Sequence, residues 1–179
     1  MNGDILENLH NAIRIIPDFP KKGISFKDIT TLLKEGDLFA EAIDYMYDHY
    51  RNKSIDLIAA IEARGFVLGA ALAYKLNVGF IPIRKPGKLP GATISESYQL
   101  EYGEDRLEIH EGAISAENKV LLVDDLLATG GSAQAACKLI EKLNGNVIGI
   151  GFLIELAFLN GRDKLKKYDI HTLISYKDE

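Results

Sequence analysis

One stretch carries most of the chemistry legible in this sequence: Val120-Leu121-Leu122-Val123-Asp124-Asp125-Leu126-Leu127-Ala128-Thr129-Gly130-Gly131-Ser132. Its apolar residues drive a strand into a sheet, and Asp124 and Asp125 stand at the carboxyl end. A Thr-Gly-Gly-Ser turn then opens a helix. Glycines let the backbone approach an anion, the helix N-terminus offers N–H groups without partners, and the Thr129 and Ser132 hydroxyls add donors. The turn from Ala128 to Ser132 therefore suits a phosphate. The two carboxylates cannot be its ligands, because like charges repel. They suit sugar hydroxyls, or Mg²⁺ reached directly or through water. A phosphate beside a hydroxyl-rich group is the pattern of a ribose 5-phosphate. The chain has no G-x-x-x-x-G-K-[ST] and no G-x-G-x-x-G, which argues against nucleoside triphosphate and dinucleotide loops.

These residues must be held by a sheet, and the chain supplies one. Short apolar runs at Ile55–Ile61, Val78–Ile83, Lys119–Asp125, Asn146–Leu156 and His171–Tyr176 alternate with helical stretches at Phe66–Leu76 and about Ser132–Leu143. Continuous apolar strands alternating with helices predict a doubly wound α/β fold. Its sheet is mostly parallel, with helices on both faces. Ahead of it, the spacing predicts a helix from about Asp4 to Ile13, a Pro- and Gly-broken stretch from Ile16 to Gly23, and a second helix from Asp37 to Tyr50. Between the second and third runs lies an insertion from Arg84 to Ser115, too long for an ordinary connection. It begins with the basic Arg84-Lys85-Pro86-Gly87-Lys88-Leu89-Pro90-Gly91. It then alternates through Ser97-Tyr98-Gln99-Leu100-Glu101-Tyr102, and Arg106 to His110 can return as a hairpin partner. A hairpin with charged and aromatic positions reads as a lid. The expectation is one domain over 1–179, with a small hood region at 1–35 and a β-hairpin lid at 84–115.

Composition sets the limits. With 179 residues, 47% hydrophobic and 26% charged, the chain is long enough to bury a core without staples. A net charge of −5 argues against nonspecific coating of nucleic acid and leaves room for a local anion site. The single cysteine, Cys137, permits no internal disulfide. Met1-Asn2-Gly3-Asp4 lacks the basic start of a secretion signal, and Glu62 and Arg64 interrupt the best apolar stretch, Leu57–Tyr74. The expectation is a cytoplasmic protein with no membrane segment. His10, His49, His110 and His171 are scattered without metal-ligand spacing, and no role is assigned to them or to Cys137.

The Asp124–Ser132 segment closely resembles the phosphoribosyl-pyrophosphate motif of the type I phosphoribosyltransferases. The rest of the chain is similar to the adenine phosphoribosyltransferase family. That likeness rests on Ile16-Pro17-Asp18-Phe19-Pro20, Phe26-Lys27-Asp28-Ile29, Glu62-Ala63-Arg64-Gly65-Phe66, the basic run from Arg84 to Gly91, and Leu100-Glu101-Tyr102-Gly103. The resemblance implies transfer of a phosphoribosyl group to adenine, giving AMP and pyrophosphate, with Mg²⁺, in a homodimer. It implies that Ala128, Thr129, Gly130, Gly131 and Ser132 cradle the 5-phosphate, while Asp124 and Asp125 hold the ribose hydroxyls. Ala63 and Arg64 would meet pyrophosphate, where a forked guanidinium matches a pair of phosphate oxygens. Arg84, Lys85 and Lys88 would add charge when the insertion closes, part of it reaching the neighbouring subunit's site. Glu101, with Tyr102 beside it, corresponds to the family's lid glutamate, which holds the proton at adenine N7 as N9 attacks C1′. Phe26 would stack on the base, and backbone groups near Ile24 and Ser25, with Lys27, would read its edge.

Two positions depart from the family's pattern. Lys27 stands where arginine is usual and gives up the bidentate fork, and Ser132 stands where threonine is usual and keeps the hydroxyl. Two other activities remain alongside. One is a relative acting on xanthine, hypoxanthine or guanine, whose 6-oxo group presents an acceptor where adenine presents a donor. The other is a nucleotide-sensing regulator of the same fold, which the acidic pI near 5.4 and the lack of an appended DNA-binding domain disfavour.

Overall fold

The computed structural model describes residues 2–99 and 103–178. The chain opens with helix α1 (Asn2–Ala12) and a two-stranded antiparallel ribbon, β1 (Arg14–Ile16) with β2 (Phe26–Asp28). Three-residue strands are too short to show a period, so nothing in the sequence announced the ribbon. Asp28 anchors it. Its carboxylate accepts from Arg14 at 2.5 Å and from the Thr30 hydroxyl and N–H, and these bonds, Thr30's first, hold its pKa at about 2. The short helix α2 (Thr30–Leu33) and the longer α3 (Gly36–Tyr50) follow.

The repeating part comes next: β3 (Leu57–Ile61), α4 (Arg64–Leu76), β4 (Gly79–Ile83), the hairpin β5 (Thr93–Gln99) and β6 (Glu104–His110), β7 (Lys119–Leu127), α5 (Gly131–Lys142), β8 (Asn146–Leu156) and β9 (Ile170–Tyr176). Five strands form one parallel sheet in the order β4-β3-β7-β8-β9. Side chains alternate across it. Ile58 and Ala60 of β3, with Leu121 and Val123 of β7, face the layer that holds α1, α3 and α4. Ala59 and Ile61, with Val120 and Leu122, face α5 and the hairpin. Each fully buried Leu, Ile or Val contributes about 1.5–3 kcal/mol, so this two-faced burial is what makes the strands read as unbroken apolar runs.

Two boundaries differ from the sequence expectation in ways that matter for the site. Helix α4 begins at Arg64 rather than at Phe66, which puts Arg64 in a helical first turn. Strand β7 runs to Leu127, so both aspartates lie within it rather than at its end. The hairpin forms, its first strand starting at Thr93 rather than Ser97, and it is not a loose flap at its base. Leu107 and Ile109 of β6 are buried in the α5-side core, and Arg84 and Glu108 exchange backbone hydrogen bonds of 2.9 and 2.7 Å. Among the described residues, no helix is long and apolar enough to cross a membrane.

Candidate active site

The strand order reverses between β3 and β7. Chain leaving β3 passes into α4 on one face of the sheet, and chain leaving β7 passes into α5 on the other. A crevice must open between their carboxyl ends. A cavity of about 260 Å³ lies there, lined by Glu62, Ala63 and Arg64 after β3, by Asp124, Asp125 and Leu126 within β7, and by Ala128 and Ser132 beyond it. Lys85, Tyr98 and Leu107 close it from the insertion. A second cavity of about 190 Å³ adjoins it along the turn from Leu126 to Ala133, again under Tyr98. Gly130 sits at the head of α5 with φ of 77°, a conformation glycine adopts without strain, and no side chain caps this helix end. Its first-turn N–H groups are therefore open to an anion.

Asp124 and Asp125 are both buried, at 7% and 6% exposure. Burial first, and the charge of Asp125 second, push the Asp124 carboxyl well above the ordinary carboxylate range. Its Oδ1 accepts from the Asp125 N–H at 2.9 Å. Asp125 is bonded instead to Arg64, whose Nε donates to Oδ2. Helix α4 can come this close only because residue 65 lacks a side chain: a Cβ on Gly65 would lie 2.8 Å from Asp124 Oδ1 and 3.1 Å from its Cα. The sequence Arg64-Gly65 thus delivers a guanidinium and a helix start together to the carboxylate pair.

The insertion brings some of its cations to this point and withholds others. Lys85 lines the cavity and pairs with Asp105 at 3.1 Å, and the Tyr98 hydroxyl donates to the same carboxylate at 3.2 Å. Burial, then the Asp105 charge, push the Tyr98 phenol up to about 12. Arg84 does not line the cavity. Its Nε donates to Glu62 Oε2 at 2.6 Å and its Nη1 to the Lys88 carbonyl at 3.0 Å, while the Lys88 side chain is exposed.

In the hood, Phe26 lines neither cavity but stands next to the site, with the Arg64 guanidinium 5.4 Å from its ring centroid. The neighbouring Lys27 is buried, but its ammonium lies 4.8 Å from the Tyr176 ring centroid and does not line the cavity. Ile24 donates its N–H to Lys21 and accepts from Phe19, both at 3.2 Å, so its backbone groups are engaged in their own turn; Ser25 is half-buried beside it. Glu101 and Tyr102 lie outside the described residues. Tyr98 and Leu126 line the cavity and were not singled out by residue type. Leu126 is signalled only by its place between the carboxylates and the turn, and Tyr98 only by the alternation of β5.

A sequence model of the phosphoribosyl transferase domain matches residues 28–176. An adenine phosphoribosyltransferase of Koribacter versatilis is 56% identical over 174 residues, covering 97% of this chain and 96% of that one. The chain belongs to the adenine phosphoribosyltransferase family. Among solved members of the adenine phosphoribosyltransferase family, that of Thermoanaerobacter pseudethanolicus superposes with a TM-score of 0.94 at 56% identity, over 96% of this chain and 99% of the other. The Saccharomyces cerevisiae adenine phosphoribosyltransferase was solved with an imino-altritol bisphosphate and adenine. It superposes with a TM-score of 0.90 at 41% identity, over 96% and 99% of the two chains. The parallel five-stranded sheet, the helices and the hairpin of this chain are those of the adenine phosphoribosyltransferase fold.

Proposed function

We propose that the chain transfers the 5-phosphoribosyl group of phosphoribosyl pyrophosphate to adenine, releasing AMP and pyrophosphate in purine salvage. One observation carries the reading. The glycine-rich turn, the buried carboxylate pair and Arg64 converge on a single crevice at the switch point, in a chain of this family. The turn from Ala128 to Ser132 holds the 5-phosphate, and Asp124 and Asp125 hold the ribose hydroxyls. Ala63 and Arg64 receive the pyrophosphate, with Lys85 beside them, Lys88 joining from the surface and Arg84 released from Glu62 and the Lys88 carbonyl. Phe26 stacks on the base.

The C1′–pyrophosphate bond breaks through a transition state with oxocarbenium character, so charge on the leaving oxygen must be stabilised. Arg64 and Lys85 supply fixed positive charge there, and closure of residues 84–115 excludes the water that would otherwise capture the ribosyl cation. As N9 of adenine attacks C1′, the purine becomes acidic, and Glu101 holds the N7 proton. The donor set fits Mg²⁺: two buried carboxylates face the cavity, and a cation would relieve their mutual repulsion. Among the described residues no cluster of three or more candidate ligands stands ready, so the remaining ligands would be substrate oxygens, as this ion prefers. When bound, Mg²⁺ neutralises charge on the pyrophosphate.

A homodimer completes the reading. Val67 and Tyr74, seven residues apart on α4, share a helix face and are 42% and 90% exposed. Phe80 on the edge strand β4 is 36% exposed and packs against Phe66 of α4. A second copy covering this stripe would account for so much open apolar surface.

The test is direct: incubate the protein with phosphoribosyl pyrophosphate, Mg²⁺ and each purine separately, and assay nucleotide. AMP from adenine alone supports the reading. Comparable turnover of hypoxanthine or guanine overturns the base assignment, and sedimentation as a monomer overturns the dimer.

A further inference from the structure

The phosphate turn is backed by a segment that lies outside the motif, the hood and the insertion. Gly161 opens the 3-10 turn Gly161–Leu165 and is buried against residues 128–130. A Cβ on Gly161 would collide with the Ala128 carbonyl oxygen and lie 2.9 Å from Leu127 Cδ1. A Cβ on Gly130 would in turn collide with the Gly161 carbonyl oxygen. In both directions the nearest contact is therefore backbone against backbone, which cannot give way as the tip of a side chain can. On the far side, the Gln134 amide of α5 donates to the Lys164 carbonyl at 3.1 Å and ties the same segment to the helix that the turn opens.

The residue after Gly161 is clamped. Arg162 donates through Nε and Nη2 to the two oxygens of Glu155, at 2.6 and 2.8 Å, in a bidentate fork. Nη2 also donates to the Thr172 hydroxyl at 3.2 Å, and that hydroxyl donates to Glu155 Oε2 at 3.1 Å. Glu155 is buried near the end of β8, and Thr172 lies on the adjacent β9. Arg162 holds the Glu155 carboxyl below the ordinary carboxylate range. A buried ion pair is weak evidence for stability but fixes geometry well, because planar donors match planar acceptors in one orientation. Here the orientation it fixes is that of the backbone immediately behind the phosphate turn. A turn with glycines at 130 and 131 has many conformations open to it, and its N–H groups bind an anion only when they converge.

We propose that Arg162, held by Glu155 and Thr172, is a positioning residue that seats Gly161 against Ala128 and Gly130 and so keeps the phosphate turn in its anion-binding conformation. The proposal rests on the reading that this turn takes the 5-phosphate. It assigns the geometry of recognition to four further residues on three elements as well as to the turn itself.

Calorimetric titration with ribose 5-phosphate and, separately, pyrophosphate tests it. Gly161→Ala and Arg162→Ala should each weaken ribose 5-phosphate about tenfold or more, the range expected when a positioned site is displaced by an ångström or less. Pyrophosphate affinity should stay within about twofold, since its site lies across the crevice. KM for phosphoribosyl pyrophosphate should rise while KM for adenine holds. The double variant should be little worse than the weaker single one, because both act through one contact. Glu155→Gln keeps the shape and hydrogen-bonding capacity of the clamp, so it carries the test if Arg162→Ala does not fold; an intermediate loss is expected, with Arg162→Lys similar. Equal loss of both ligands would mark a general structural role and overturn the proposal, as would unchanged ribose 5-phosphate affinity in folded Gly161→Ala and Glu155→Gln. Thr129→Ala with Ser132→Ala is the control. If that variant loses ribose 5-phosphate and the clamp variants do not, the clamp alone fails; if it binds normally, the phosphate reading fails and takes the clamp with it.

Discussion

Arg64 and Asp125 are bonded to each other across the switch point of the sheet, the guanidinium Nε donating to Asp125 Oδ2 while the same group lies over the Phe26 ring. The cation assigned to the leaving group thus touches one group assigned to the ribose and one assigned to the base. Its charge compensates the buried carboxylates. On the proposed reading, the remaining guanidinium N–H groups turn toward the phosphate oxygens of pyrophosphate.

Arg64→Lys tests that arrangement. Lysine keeps the charge but not the planar fork, so it cannot serve Asp125 and a phosphate together. One lost charge-assisted hydrogen bond costs about 1.5–3 kcal/mol, and kcat/KM for phosphoribosyl pyrophosphate should fall roughly 10- to 100-fold. KM for adenine should change far less. Steady-state kinetics with each substrate varied in turn decides it, and a near-normal kcat/KM would remove Arg64 from leaving-group binding.

The carboxylate pair and the turn were legible because their chemistry is contiguous in the chain: Asp124 to Ser132 spans one strand end and one helix start. The parallel sheet was legible because burial on both faces writes Leu121, Leu122 and Val123 as an unbroken run. What could not be read was what depends on residues far apart. Gly161 meets Ala128 across more than thirty positions, and nothing in the local composition of Asn160-Gly161-Arg162 marks it. Arg84 reads as a free cation until Glu62 is brought beside it. Lys27 alternates with Phe26 on a strand too short to recognise, and so its ammonium goes to Tyr176.

Asp124→Asn separates stability from binding. Burial and Asp125 raise the folded-state pKa of Asp124 above the ordinary 3.8, so the native protein binds a proton that the unfolded chain releases. Stability is therefore lost as pH rises through that range, and an uncharged asparagine removes the loss. The ligand-free variant should melt a few degrees higher than the parent at neutral pH, with the difference shrinking toward pH 3.8. Its affinity for AMP should nonetheless fall about tenfold. Scanning calorimetry and AMP titration on the same sample check both, and a variant that melts lower at neutral pH contradicts the assigned direction.

His171 predicts a second pH window, away from the crevice. Its ring stacks on His49 at 3.8 Å and on Tyr45 at 6.2 Å, with Tyr50 edge-on and Asp169, Lys53 and Arg162 acting at longer range. Glu41, Asp44 and Asp48 line the adjoining cavity of about 420 Å³. Burial, followed by His49, lowers its pKa from 6.5 to about 4. The unfolded chain then binds the extra proton between those values, so stability falls as pH drops from 6.5 to 4 and is flat below. Partial exposure discounts the effect to about 1 kcal/mol, or roughly 2–4 °C in Tm. His171→Gln should flatten the melting temperature across this window by that amount. An unchanged slope would place the acid sensitivity elsewhere.

Glu101→Gln asks whether chemistry or binding is at stake in the Leu100-Glu101-Tyr102-Gly103 segment. Glutamine keeps the size and hydrogen-bonding capacity of glutamate but can neither take a proton nor balance a developing positive charge. If Glu101 holds the adenine N7 proton in the transition state, kcat should fall by roughly 10²–10⁴, the usual range for a lost acid–base group. Adenine and AMP affinities should move much less, since the interaction strengthens only as N9 bonds to C1′. The measurement must be made where chemistry limits the rate, by single-turnover kinetics, because slow release of product would hide a tenfold or larger loss. A single-turnover rate close to the parent's would dismiss Glu101 from the mechanism. The turn from Ala128 to Ser132, the carboxylate pair and Arg64 would stand regardless, because their assignment rests on other stretches of sequence and on the crevice those residues themselves line.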